Sequence, residues 1–409
     1  MSFRSVASRS RLAQLTIALL FLLLPLFCIS QLQLHPVLCV RGTGHFETAF
    51  STGVKVQIAA ARDGALATRS CSANLSWANE ALVVARSAAE VDLDAFGTDF
   101  GDGIPVAAFQ IKKTDSDCCM DYAVYSLQKP PRLFRTITGG EFFSASDADL
   151  DGTVEVFTDD AAAANGFEKL TLGEMDSPPT IVFRLANNRL RDVSAEFRPY
   201  FDDQIRHIRA EIDPHYLEDF RNSDRTLTET STGSSTERLH QLRTVKIKVL
   251  EIVWGYLYSG REQEAWRSLA AMWPSADVDR IRAALLKMRA SGIHREVDSV
   301  SPGPFHHNKK KHAQVFDAVN RPETGSTFEL VPPEAILLQR PSVSQQQPEL
   351  LLELVVDRAG KVRSAGPVAK AKSPDPELIR AAHSWKFIPA FKDGRPVASR
   401  LRIAVSSRQ

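Results

Sequence analysis

Residues 350–409 carry a pattern that few folds accept. Leu352, Leu354 and Val356 alternate with Glu353, Val355 and Asp357. Arg358-Ala359-Gly360 then supplies a turn, and Lys361, Val362, Arg363 and Ser364 resume extended spacing, which predicts a β-hairpin. Ser373-Pro374-Asp375-Pro376-Glu377 opens a helix with cap and first-turn chemistry. Leu378, Ile379, Ala382 and Trp385 follow at helical spacing, so one helix face lies on the hairpin. Pro389 stops that helix, and Asp393-Gly394-Arg395-Pro396-Val397 turns the chain into a last strand at 401–405. The order is ββαβ.

In Asp357, Gly360, Trp385, Phe387, Pro389, Gly394, Pro396 and Val397 this run resembles the C-terminal domain of TonB-family energy transducers: an Asp-x-x-Gly turn, then Trp-x-Phe-x-Pro and Gly-x-Pro-Val. The resemblance implies a periplasmic domain that binds an envelope protein, with outer-membrane transporters as the family's partners, by adding a peptide strand to a sheet edge. It implies no catalysis. Upstream, Val331-Pro332-Pro333 lacks the tyrosine that the family places before its proline, and 12–29 contains no histidine to couple the chain to a proton-driven motor.

Arg4, Arg9 and Arg11 precede an apolar core at 15–29 interrupted by Pro25, which reads as an export signal with a cut after Ser30. The core is short of the ~20 apolar residues that a membrane span needs. Retention as an inner-membrane anchor is the other reading of 1–30. The near-neutral balance of +1 over 409 residues leaves no electrostatic footprint for nucleic acid. In an oxidising compartment Cys39, Cys71, Cys118 and Cys119 are expected to pair, Cys71 with one of the adjacent two.

Strand-like runs at 81–84, 106–111, 122–127, 133–137, 154–157 and 180–185 make 31–191 a β-rich domain. Within it Asp147, Asp149, Asp151 and Glu155 stand at positions one, three, five and nine around Gly152. Alternate acidic residues in a tight loop direct oxygen ligands at one centre, which suits calcium in a structural role. The loop resembles the short calcium loop of FG-GAP or VCBS propeller repeats. An EF-hand would need a glutamate where Thr158 stands. A fainter copy, Asp99-Phe100-Gly101-Asp102-Gly103, lies about fifty residues earlier and also runs into a strand, so propeller-like pieces are expected.

From 192 to 300 the periodicity becomes helical, with helices over 197–220, 236–259, 263–273 and 276–291. Residues 301–349, with Pro302, Pro304, the basic run 306–312 and Gln345-Gln346-Gln347-Pro348, read as a flexible linker before the domain at 350–409. The expected fold is α+β and multidomain: a β-rich propeller-like domain, a helical module and a TonB-like ββαβ end. No nucleophile with a partnered base and no phosphate-cradling glycine loop stands out, so the chain is not read as an enzyme. Two functions follow. One is an exported energy-transducer or transport accessory contacting outer-membrane transporters; the other is a periplasmic structural or scaffold protein without proton-motive coupling.

Overall fold

Local pattern first becomes architecture in three successive antiparallel meanders. The computed structural model describes residues 37–62, 69–115, 118–224, 227, 236–303, 313–318, 330–338, 350–368 and 376–405. The segment 1–30, read from sequence as an export signal, and the basic run 306–312 lie outside the described residues. After β1 (Cys39–Val40), the first meander is β2 (His45–Ala49), β3 (Lys55–Arg62), β4 (Arg69–Trp77) and β5 (Glu80–Ala88). The second is β6 (Glu90–Asp99), β7 (Pro105–Lys112), β8 (Met120–Ser126) and β9 (Leu133–Gly140), with β1 added beside β6. The third is β10 (Phe143–Ser146), β11 (Glu155–Asp159), β12 (Thr180–Ala186) and β13 (Arg189–Asp192). Both acidic glycine loops join the first and second strands of a meander. The faint copy after Asp99 is therefore the topological equivalent of the loop after Ser146. No closed ring or barrel forms among the described residues.

Cys39 pairs with Cys71, not with the adjacent pair, because β1 and β4 bring their Cα atoms to 5.9 Å. Cys118 pairs with its neighbour Cys119.

After α1 (Ala161–Ala164), the helical module comprises α2 (Arg198–Ala210), α3 (Pro214–Arg221), α4 (Thr236–Tyr258), α5 (Glu262–Met272) and α6 (Val278–Ser291). The single helix read over 197–220 is two, because Pro214 starts a new first turn in which Asp213 caps the N–H of His215. Helix α4 is buried on most of its circumference, which explains an apolar pattern with little one-sidedness. It shares one core with the third meander through Trp254, Leu257, Phe183 and Val156. Beyond β14 (Ser299–Val300), which pairs with β13, no helix among the described residues is long and apolar enough to cross a membrane.

The stretch read as a linker contributes β15 (Phe316–Asp317), β16 (Leu330–Val331) and β17 (Glu334–Leu337), each paired to the C-terminal module. Ile336 and Leu337 explain part of this, since both pack into the core of the first two meanders. The C-terminal module itself is β18 (Leu350–Val356), β19 (Val362–Pro367), α7 (Pro376–His383), β20 (Lys386–Ile388), β21 (Ala390–Lys392), β22 (Arg395–Val397) and β23 (Ser399–Val405). Its main sheet runs β15-β23-β18-β19, and Leu352, Leu354, Val356, Leu378, Ala382, Trp385 and Phe387 form its core.

Inside α4, Glu251 is 2% exposed. Its Oε1 accepts the Ser177 N–H at 2.8 Å, while Oε2 has no partner. Burial raises its pKa to about 7. A carboxyl whose folded pKa lies above its unfolded value of 4.5 favours folding in its neutral form. That advantage is complete below pH 4.5 and is lost as pH rises towards 7. Glu251→Gln should therefore be more stable than the parent at pH 8, by on the order of 2–3 kcal/mol, and close to it at pH 4.5. Urea unfolding at both pH values measures this; an equal difference at the two would refute it.

Candidate functional site

The third meander places its acidic loop directly after β10. Asp147 is fully buried, and its Oδ1 accepts the N–H groups of Asp151 (2.9 Å) and Gly152 (3.3 Å). Asp149 Oδ1 also receives the Asp151 N–H at 3.3 Å, and Asp151 Oδ1 receives Thr153 N–H at 2.8 Å. The turn needs left-handed backbone at Leu150 (φ 54°) and Gly152 (φ 92°). Ligand oxygens of Asp147, Asp149 and Asp151 all fall within 4.8 Å of one another. This all-oxygen donor set suits a hard divalent cation. The Asp147 pKa is raised to about 6, first by burial and then by the neighbouring Asp357 carboxylate, against the pull of Arg358.

Glu155, the fourth expected ligand, is held apart from this cluster. Its Oε1 accepts from Arg184 Nη2 at 2.7 Å, whereas Oε2 is buried without a partner. Burial raises Glu155 to about 8; Arg184 lowers it and the charges of Asp149 and Asp151 raise it further. Burial and the neighbouring carboxylates thus disfavour charge on Asp147 and Glu155, a penalty that a bound cation would relieve.

The C-terminal module docks on the same loop through its Asp-x-x-Gly turn. Asp357 Oδ2 accepts Ser146 Oγ–H and Asp147 N–H, both at 3.0 Å. Its Oδ1 accepts Ala359 N–H and Lys361 N–H, both at 2.9 Å, so one buried carboxylate organises its own turn and the end of β10 together. Arg358 Nη1 donates to the Gly152 carbonyl, and its Nε lies 3.5 Å from Asp147 Oδ2. Arg363 reaches Ser146 Oγ (2.9 Å) and the Ala148 carbonyl (2.8 Å).

Two further ion pairs lie beside this turn. Lys361 Nζ meets Asp94 Oδ1 at 2.5 Å and the Asp94 carbonyl at 2.9 Å; Lys386 Nζ pairs with Asp92. Asp94 is further satisfied by Tyr122 O–H and Ala145 N–H, each at 2.7 Å. Asp92 and Asp94 share one face of β6, two residues apart and flanked by Val91, Leu93 and Ala95. The sequence reading passed over both, and over Lys361 and Lys386 as their partners. Acidic residues at period two inside an apolar run were the available signal.

The remaining signature residues divide by task. Trp385 and Phe387 are core, at 1% and 2% exposure. Gly360 (φ 83°) receives the Phe387 N–H on its carbonyl at 2.9 Å, and an added Cβ would stand 1.8 Å from the Phe387 carbonyl oxygen. Pro389 separates β20 from β21, and Gly394 (φ 73°) makes the turn to β22, where Pro396 and Val397 lie opposite Phe391 and Ala390. No family model, curated protein or solved structure matches the chain.

Gly360→Ala should cost more than about 3 kcal/mol, because backbone on both sides would have to move. Lys361→Met, which leaves the Asp94 charge buried beside its two remaining donors, should cost about 3 kcal/mol. Exposed Arg402→Ala, which removes a surface pair with Glu353, should change stability by under about 1 kcal/mol. Chemical denaturation of the three variants checks the ranking, and equal costs for Lys361→Met and Arg402→Ala would show that the docking pairs are unimportant.

Proposed function

We propose that this is an exported envelope protein whose C-terminal TonB-like module binds an extended segment of a partner, outer-membrane transporters being the first class to test. The observation that carries this reading is the edge of β23. Phe316 N–H donates to the Ala398 carbonyl and Ala318 N–H to the Arg400 carbonyl, so alternate residues of β23 turn their backbone groups away from β18. By the same alternation Arg402 and Ala404 direct theirs outward, and among the described residues β15 covers this edge only as far as Arg400. An edge of this kind accepts a strand by main-chain hydrogen bonds. The β-rich region, in this reading, is a set of degenerate propeller-type blades, and calcium at Asp147, Asp149 and Asp151 stiffens the loop on which the module rests.

A scaffold without proton-motive coupling is the second reading. It is favoured by the Asp357–Gly360 turn, which is engaged with the chain's own meanders, and by the histidine-free segment 12–29.

Two experiments test these readings. Peptides from transporter N-termini, titrated into the full chain by calorimetry, should bind, and Ala404→Pro should abolish binding by removing an outward N–H while sparing the β18 ladder. If the parent binds no peptide in the panel, the scaffold reading is preferred; if the proline variant binds equally well, the β23 edge is the wrong surface. For calcium, the melting temperature should fall on chelation, and Asp149→Ala or Asp151→Ala should remove that dependence. Identical melting with and without chelator would dismiss the ion.

A further inference from the structure

Away from the acidic loop, the start of α2, the start of α5 and the outer side of α6 enclose an open cavity of about 540 Å³. Arg198, Arg261 and Arg282 line it together with Trp266. The three guanidinium groups are held differently. Arg261 is fixed: its Nη1 pairs with Asp202, its Nε donates to Ser259 Oγ at 2.9 Å, and its plane lies 4.8 Å from the Tyr256 ring centroid. Its Nη2 is buried with no hydrogen-bond partner. Arg282 lies over the Trp266 ring at 4.9 Å. Arg198 has no hydrogen bond or ion pair with any described residue, and its Nε is buried.

Arg198 Nε and Arg261 Nη2 are enclosed by protein and do not face the cavity; what the cavity receives is the rest of the Arg198 guanidinium, which has no acceptor among the described residues, and the exposed Arg282. The carboxylates around the rim do not serve: Glu262 Oε1 accepts from Trp266 Nε1 at 2.9 Å, and Glu264 lies 3.8 Å from Arg267. The N-terminus of α5 adds backbone N–H groups that no side chain caps. Donors thus converge from three helices. A planar carboxylate presents two oxygens in one plane, whereas a tetrahedral phosphate presents acceptors in several directions and takes the arginine fork well.

We propose that this cavity is a binding site for a phosphate-type oxyanion, with Arg261 as a fixed positive charge in its wall, Arg198 as the principal free cation and Arg282 as the outer contact. The indole of Trp266 gives an organic phosphomonoester an apolar wall beside the charge.

The test is calorimetric titration of the full chain with inorganic phosphate and, separately, with glycerol 3-phosphate, in chelator and at fixed ionic strength set with chloride. Saturable binding is expected, weakened roughly tenfold or more in Arg198→Ala and also in Arg282→Gln, since each loses a charge-assisted hydrogen bond. Tighter binding of the ester assigns an organic ligand, and equal binding assigns the free ion. Circular dichroism confirms the fold of each variant; Arg282, being exposed, gives a second readout if Arg198→Ala unfolds. Heats that match chloride addition, or affinities unchanged in both variants, would overturn the site.

Discussion

The fold turns on the Asp357 carboxylate. Four donors converge on it, two from its own turn and two from the end of β10, so the same buried group closes a hairpin and fixes a module to a loop 210 residues away. Burial raises its pKa, while the hydrogen bonds it accepts from Lys361, Ser146 and Ala359 and the nearby charge of Arg363 work against that rise. A buried charge of this kind adds little net stability compared with an apolar contact of similar volume, but it accepts few alternative positions. Register and orientation of the C-terminal module are therefore set at one place. Lys361 and Lys386 then meet Asp94 and Asp92 on β6, where any slip of the module would leave two carboxylates buried without cations.

The meanders explain why such docking is needed. Strand β6 is buried along nearly its whole length, although a four-stranded meander exposes one face and two edges unless something covers them. Phe391 and Ile388 of the C-terminal module help provide that cover. Phe391 packs edge-on against Phe50, and Ile388 joins the core of the first two meanders. Lys386, on the same strand β20 as Ile388, and Lys361, in the β18–β19 turn, answer the two aspartates, so cover and charge balance come from the same module.

The sequence displayed the parts whose physics is local. The β18–β19 hairpin, α7 and β23, the acidic loop and α4 to α6 each carry their own period, cap or turn residues, whereas β20 to β22, between Lys386 and Val397, stand where the pattern predicts a helix end and a turn. Strand β4 is less legible. In β4 the inward positions are Cys71, Ala73 and Leu75 between Ser70, Ser72, Asn74 and Ser76, so small residues carry much of the burial that larger ones usually signal. β6 was hidden by Asp92 and Asp94, whose partners lie 294 and 267 residues further on. No window-based pattern connects residues at that separation. The cysteine pairing failed similarly, since only the placement of β1 beside β6 brings Cys39 to Cys71. Of the candidate ligands, Asp147, Asp149 and Asp151 follow from their spacing within one turn, whereas Glu155 is diverted by Arg184 on the neighbouring strand β12.

Docking also decides what the C-terminal module has left to offer. Asp357 ends β18 at the face committed to the meanders, and β15 covers β23 opposite Val355 and Val356, at that same end. Leu401 to Val405 lie opposite Leu350 to Leu354, at the far end of β18. The docking contact therefore lies at one end of this strand pair, and the β23 backbone that no described residue pairs lies at the other. An extended segment added at the far end would meet a strand whose position is already fixed, and so would lose less conformational freedom on binding than it would against a tethered, mobile domain. Under the proposed strand-binding function, the Asp357–Gly360 turn would hold the adjacent edge still.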